Sequence, residues 1–167
     1  MWSRFEELRR TIIRKRNDIA LVALWTLLVS FLVIRIHAVT YAESVRLQYY
    51  QIPLADYGAP MAGPLDLVIV AIAGLIVGFF LSDIKEMFYG YLTMGFLSFI
   101  IGVVYVTLYI WFTLGWGPFF SYSAFDWEYP LYMAIATVFR IMFPWLLGCC
   151  LVGLVIAAFV RTWIFWS

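Results

Sequence analysis

Four apolar runs follow one another along the chain, and short polar or breaker-rich links separate them. Each run is charge-free or nearly so over 15 or more residues. Since about 20 apolar residues cross a ~30 Å hydrocarbon core as a helix, runs of this kind are typical of transmembrane segments. The pattern predicts four spans, at about residues 18–39, 66–82, 87–114 and 131–160.

The second and third runs are joined only by a charged link, residues 82–86 with the sequence SDIKE. This arrangement predicts a transmembrane helical hairpin, which we expect to be the packing centre of the molecule. Sixteen residues lie between Asp66 and Asp83, on either side of the first arm. At 1.5 Å per residue this length is somewhat short of the hydrocarbon core, so both carboxylates can lie at its two surfaces.

Composition leads to the same conclusion. The chain is 65% hydrophobic and 13% charged, with a mean hydropathy of +0.95. A soluble globule of 167 residues could not cover itself with so few polar side chains. We therefore expect an all-α membrane protein, a four-transmembrane-helix bundle in which residues 18–167 form one domain in contact with membrane lipids. The net charge of +1 gives no indication of a nucleic-acid partner.

Residues 1–17 differ from the rest because they are basic and amphipathic. Four apolar residues share one helical face, and six cations surround them: Trp2, Phe5, Leu8 and Ile12, then Arg4, Arg9, Arg10, Arg14, Lys15 and Arg16. This pattern is typical of an interfacial helix with its cations near lipid phosphates. A cleaved signal peptide ending near Ala42 is the alternative, but Arg35 and His37 disfavour it because they would fall inside its apolar region.

The eleven basic residues also predict an orientation. With the amino terminus inside, alternating threading places eight of them in the cytoplasm: the six near the amino terminus, Lys85 and Arg161. Only Arg35, Arg46 and Arg140 remain at the outer face. By the positive-inside rule, we expect a multi-pass protein of the cell membrane with both termini cytoplasmic.

Small residues recur at helical spacing on three runs, which favours close helix packing. The second run carries Gly74 and Gly78, although a Gly-tolerant segment can hold such a pair by chance. The third has a seam with small residues in its middle and aromatic residues at its ends, and the fourth repeats small residues every four positions. The residues are Tyr91, Gly95, Ser98, Gly102, Tyr105, Tyr109 and Phe112, and then Cys149, Gly153 and Ala157. A pore lining is the alternative reading of the third seam, but hydroxyl groups alone are weak evidence for one.

One polar cluster is expected at the outer ends of the spans, formed by Arg35, His37, Asp66 and Arg140. Asp66 can pair with either arginine, and the group is either structural or a small site for an anion or lipid headgroup. Arg140 itself has two registers: at the outer interface, which we favour, or deep in the bilayer. Pro144 lacks the N–H that would bond the Arg140 carbonyl, so a helix kink is expected there.

The chain lacks the parts of a familiar active site. One histidine cannot supply bis-His haem ligation or a multi-histidine metal site, and the adjacent Cys149 and Cys150 form no Cys-x-x-Cys pair. Asp83 and Glu86 are better read as solvated residues of the hairpin link than as metal ligands. We expect no enzyme and no cofactor.

Two functional interpretations remain. The favoured one is a noncatalytic helical subunit or scaffold of a larger membrane complex, with a membrane-protein partner or a second copy of itself. It is supported by several small-residue faces, more than a four-helix bundle of this size needs internally, and by the aromatic segment 115–130, which suits a membrane interface. The alternative is a small transport component, or a lipid- or anion-binding protein that uses the outer cluster.

Overall fold

The structure is a computed structural model that describes residues 2–49, 62–81, 83–114 and 128–166. All of the secondary structure in these residues is helical. The elements are α1 (Trp2–Tyr49), α2 (Pro64–Phe80), α3 (Ile84–Leu114), α4 (Glu128–Ile141), a π-helical turn (Met142–Leu146) and α5 (Leu147–Trp166). The fold class is confirmed as all-helical. The aromatic segment between α3 and α4 lies mostly outside the described residues, as do the side chains of residues 2–13.

Helix α1 is one continuous element of 48 residues. The segment that the sequence predicts to be interfacial, residues 1–17, is helical from Trp2 and runs without a break into the apolar run, and its place at a membrane interface stays a prediction. The physical reason is that no glycine or proline occurs between Trp2 and Tyr49 to end the helix. The same absence explains why α1 continues past its apolar part until shortly before Pro53.

Helix α2 begins and ends where local chemistry dictates. Pro64 occupies the first turn, where its missing N–H costs no hydrogen bond, and the Leu67 N–H bonds the Gly63 carbonyl at 3.1 Å. At the other end Leu81 takes an extended conformation, with φ −65° and ψ 139°, which stops the helix. Helix α3 starts three residues later, so the link between them is tight, as the charged sequence predicts.

The fourth apolar segment is broken between α4 and α5, which confirms the kink expected at Pro144. Phe143 has φ −111° and ψ 137°, values that belong to extended chain, and the turn around it is π-helical. Because Pro144 has no N–H to donate and its ring clashes with the preceding turn, the regular hydrogen-bond ladder cannot continue through it.

The helices pack as a ring in which α2 contacts α5 and α1, while α3 contacts α1 and α4. Helices α2 and α3, which follow one another in sequence, therefore lie across the ring from each other and meet mainly near their link. This corrects the expectation that their hairpin is the packing centre. The short link constrains only the ends of the two helices, whereas the small-residue face of α2 packs best against α5.

Contacts between the helices also give their relative directions. From α1 to α3, Val22 meets Gly90 and Val33 meets Gly102 further along both helices, so the two run parallel. From α2 to α5, Gly74 meets Cys150 and Gly78 meets Ala157, which makes that pair parallel too. Alternate helices thus point the same way, as expected for a chain that threads up and down.

Three of the helical segments are long and apolar enough to cross a membrane: Arg14–Thr40, Ile84–Ile110 and Leu131–Ile164. Helix α2, with 17 residues, is a shorter apolar helix, so the fourth predicted span is not shown. Outward-facing positions agree with an apolar solvent, since Leu24 and Phe96 are 66% exposed and Phe159 is 71% exposed. The described residues therefore form a helical bundle in which three helices are compatible with insertion into a membrane.

Candidate functional site

Arg35 and Asp66, two members of the predicted outer cluster, form an ion pair. Nη1 of Arg35 donates a hydrogen bond of 2.7 Å to Oδ1 of Asp66 and so ties α1 to the start of α2. Asp66 is buried, and its other oxygen, Oδ2, accepts a 3.1 Å hydrogen bond from the Gly63 N–H. The carboxylate therefore caps α2 and binds α1 at the same time.

His37 lies on the buried side of α1 and packs among aromatic rings. Its imidazole meets Tyr105 and Tyr109 of α3 edge-on, with ring centroids 5.8 Å and 5.2 Å apart. The two tyrosines stack on each other at 6.0 Å. Such edge-to-face contacts pack α1 against α3, which gives His37 a structural environment.

Arg140 is not brought into this cluster. It lies in the last turn of α4 and is exposed. No described residue forms an ion pair with it, and the carboxylate of Asp66 pairs with Arg35. Of the four predicted residues, the structure therefore joins two by direct contact, packs His37 nearby on α1, and leaves Arg140 apart.

The predicted small residues of α2 and α5 meet at one interface. A Cβ added to Gly74 would lie 2.5 Å from the carbonyl oxygen of Cys150, and one added to Gly78 would lie 2.6 Å from the Cβ of Ala157. A Cβ on Gly153 would collide with the carbonyl oxygen of Ala71. The glycines thus allow backbone-to-backbone contact along this pair.

The seam predicted on α3 packs in its middle and faces outward at its end. Ser98 is fully buried and donates a 3.2 Å hydrogen bond to the Thr26 carbonyl of α1. Gly102 lies between Val33 and Val138, and Gly95 contacts Leu147. Phe112, by contrast, is 70% exposed, so the seam ends before it.

Two features of the structure were not predicted from the sequence. They are the largest core side chain and an arginine contact at the end of the bundle opposite the Arg35–Asp66 pair. Trp25 is only 2% exposed and lies near Tyr91, with ring centroids 6.4 Å apart. Nη1 of Arg161 donates a 2.6 Å hydrogen bond to the carbonyl of Leu81, the residue that directly follows α2. Nothing in the sequence pattern marks this contact, because Arg161 and Leu81 are 80 residues apart and α2 has no basic residue in its own last turn.

A groove of about 620 Å³ opens between α1 and α3 near the same end of the bundle. Its walls are mostly apolar, with Ile19, Val22 and Leu97 among them, and Lys15, Asp18 and Glu86 line it as well. The groove has the size of a small-molecule pocket.

Among the residues whose side chains are described, no three or more His, Cys, Asp or Glu side chains lie close enough to hold a metal ion. Cys149 and Cys150 are both free thiols.

No family model matches the chain, and no curated protein or solved structure proved similar to it.

Proposed function

We propose that this protein is a noncatalytic helical subunit of a larger membrane assembly, either with another membrane protein or with further copies of itself. Helix α2 serves as a fourth span in this proposal. Its 17 residues cover about 26 Å, which a bilayer can match by thinning slightly around a ~30 Å core. The three longer helices are long and apolar enough to cross the membrane, and α2 completes an even number of crossings.

The parallel directions of α1 with α3, and of α2 with α5, support alternating threading. An even number of crossings puts both termini on one side. The exposed cations Arg14, Lys15 and Arg16 then share that side with Lys85 and Arg161, which supports a cytoplasmic assignment by the positive-inside rule.

The observation that carries the subunit proposal is the length of α1. At 1.5 Å per residue its 48 residues extend about 72 Å, more than twice a ~30 Å hydrocarbon core. The apolar part, Arg14–Thr40, accounts for 27 of these residues. Twelve helical residues precede it and nine follow it, so helical arms continue beyond the spanning part at both ends. Such arms offer surface for contacts outside the bilayer.

The small-residue faces of the helices do not support the subunit proposal. Gly74, Gly78, Gly102 and Gly153 make their close contacts inside the bundle. The Arg35–Asp66 pair is likewise used to hold α1 on α2, which gives the ligand-binding alternative less support than the subunit proposal. Contacts with a partner are therefore expected at the arms of α1 and not at the small-residue stripes.

The test is the mass and composition of the protein purified in mild detergent. We expect a defined oligomer or a stoichiometric protein partner with the full chain. A matched variant replaces residues 2–13 by a neutral helix-forming sequence of equal length, and we expect it to lose the oligomer or partner while keeping its helical content by circular dichroism. A monomer that retains a small molecule or lipid, with or without the native arm, would contradict the subunit proposal.

A further inference from the structure

A cleft lined by charged side chains lies at the end of the bundle opposite the Arg35–Asp66 pair. It has a volume of about 430 Å³ and forms where three helices converge. Arg14, Asn17 and Asp18 come from α1, the residues 79–81 from the end of α2, and Arg161 and Ile164 from α5. Two guanidinium groups from different helices thus share one cleft.

The position of Arg161 is set by the end of α2. Its 2.6 Å hydrogen bond to the Leu81 carbonyl holds the guanidinium beside the helix terminus, at the cleft. A guanidinium carries five N–H donors in a planar fork, a geometry that matches the oxygens of a phosphate group. Arg14 lies on the exposed side of α1, within the same cleft.

The charges in the cleft favour a singly charged anion. Asp18 also lines it, so the two arginines and this carboxylate leave a net charge of +1. Asp18 is 9% exposed, whereas Arg14 is exposed and Arg161 is partly exposed, so the cations are the more accessible groups. A phosphodiester carries one negative charge, which complements this arrangement.

The apolar rim identifies the source of the phosphate. Phe80 and Ile164, which line the cleft together with the arginines, are 73% and 58% exposed. A water-soluble anion gains nothing from such side chains, but the acyl chains of a lipid do. Basic pockets between membrane helices are known places for anionic headgroups. We infer that the Arg14–Arg161 cleft binds the phosphate of an anionic phospholipid, with the lipid chains lying against Phe80 and Ile164.

The orientation proposed above places this cleft in the cytoplasmic leaflet, but the chemistry of binding does not depend on that orientation or on the subunit proposal. Binding is therefore measured in detergent on the delipidated full chain. The probe is phosphatidylglycerol, and phosphatidylcholine with the same acyl chains is its zwitterionic counterpart. Native mass spectrometry counts the bound lipid. We expect phosphatidylglycerol to be retained about fivefold more tightly than phosphatidylcholine.

Arg14→Gln removes one guanidinium from the cleft and should weaken phosphatidylglycerol binding about fivefold. Arg16→Gln is the matched control, because Arg16 is also exposed on α1 but does not line the cleft. It should leave binding within about twofold, since its attraction is nonspecific. Equal losses for both variants would overturn the inference, as would equal retention of the two lipids. Displacement of the lipid by inorganic phosphate at millimolar concentration would show a site for a soluble anion and would overturn the lipid assignment.

Discussion

Both carboxylate oxygens of Asp66 are bonded within the protein. Its two oxygens serve two partners, the Arg35 guanidinium and the Gly63 N–H, and the residue is buried between them. Because the Arg35 side chain is 45% exposed, water screens the ion pair, and we expect the cap to contribute at least as much as the pair. The pattern of charges predicts a polar cluster at this place. In the structure, Asp66 also caps the start of α2.

Asp66→Ala removes both interactions and should lower the free energy of unfolding by about 1–2 kcal/mol. Asp66→Asn keeps an oxygen that can accept from Gly63 N–H, so it should cost less than half as much. The measurement is unfolding of the purified protein in mixed micelles by titration with sodium dodecyl sulfate. In an Arg35→Ala background, Asp66→Asn should cost only about 0.5 kcal/mol or less, as a double-mutant cycle shows. Equal costs for the alanine and asparagine variants would mean that the cap contributes nothing.

At the scale of elements, the closest contact in the bundle is the parallel packing of α2 on α5. Gly153 approaches the carbonyl of Ala71 so closely that even a methyl group has no room, and backbone cannot move aside as a flexible side chain can. Gly148, one turn earlier on α5, has no atom within 4 Å of an added Cβ. The same substitution at these two positions should therefore act in opposite directions.

Gly153→Ala should destabilise the protein by about 1–3 kcal/mol, because α2 and α5 must separate to admit the methyl group. Gly148→Ala should stabilise it by up to about 1 kcal/mol, since alanine loses less backbone entropy than glycine in a helix. Both are measured by the same micellar unfolding titration. A destabilised Gly148→Ala, or a neutral Gly153→Ala, would show that the α2–α5 contact is not as close as the structure has it.

The sequence allowed the helices to be predicted but not their neighbours. Apolar runs locate the helices, and Pro144 locates the break, because both depend on local chemistry alone. The pairing of α2 with α5 depends on which small-residue face meets which. The four-residue repeats at Gly74 and Gly78, and at Gly153 and Ala157, mark close approach without naming a partner.

The contacts of the outer cluster were predictable only in part for the same reason, because they depend on which helices are neighbours. The predicted spans place Arg35, Asp66 and Arg140 at similar depth, so a contact between Arg35 and Asp66 could be predicted. The isolation of Arg140 was not, because it depends on the lateral position of α4 in the ring. The Arg161 contact with Leu81 likewise requires α5 to lie beside the end of α2.

For the whole molecule, we predict that α2 crosses the membrane together with the longer helices. Its 17 residues are fewer than a typical span, and the Arg35–Asp66 pair at one end and the Arg161–Leu81 contact at the other fasten it to longer helices. If α1 and α5 cross the membrane, α2 crosses with them, because their contacts hold its two ends at opposite ends of the bundle. In this arrangement the link before α2 and the link after it face opposite sides.

Single cysteines in a variant lacking Cys149 and Cys150 test this prediction. Lys85→Cys lies at the exposed start of α3, and Ala59→Cys lies in the link between α1 and α2. In intact cells, a membrane-impermeant maleimide should label Ala59→Cys and not Lys85→Cys, because positive-inside threading puts Lys85 in the cytoplasm. Permeabilised cells, in which both should react, are the control. Labelling of both positions from the same side would mean that α2 does not span, and labelling of Lys85→Cys alone would reverse the orientation.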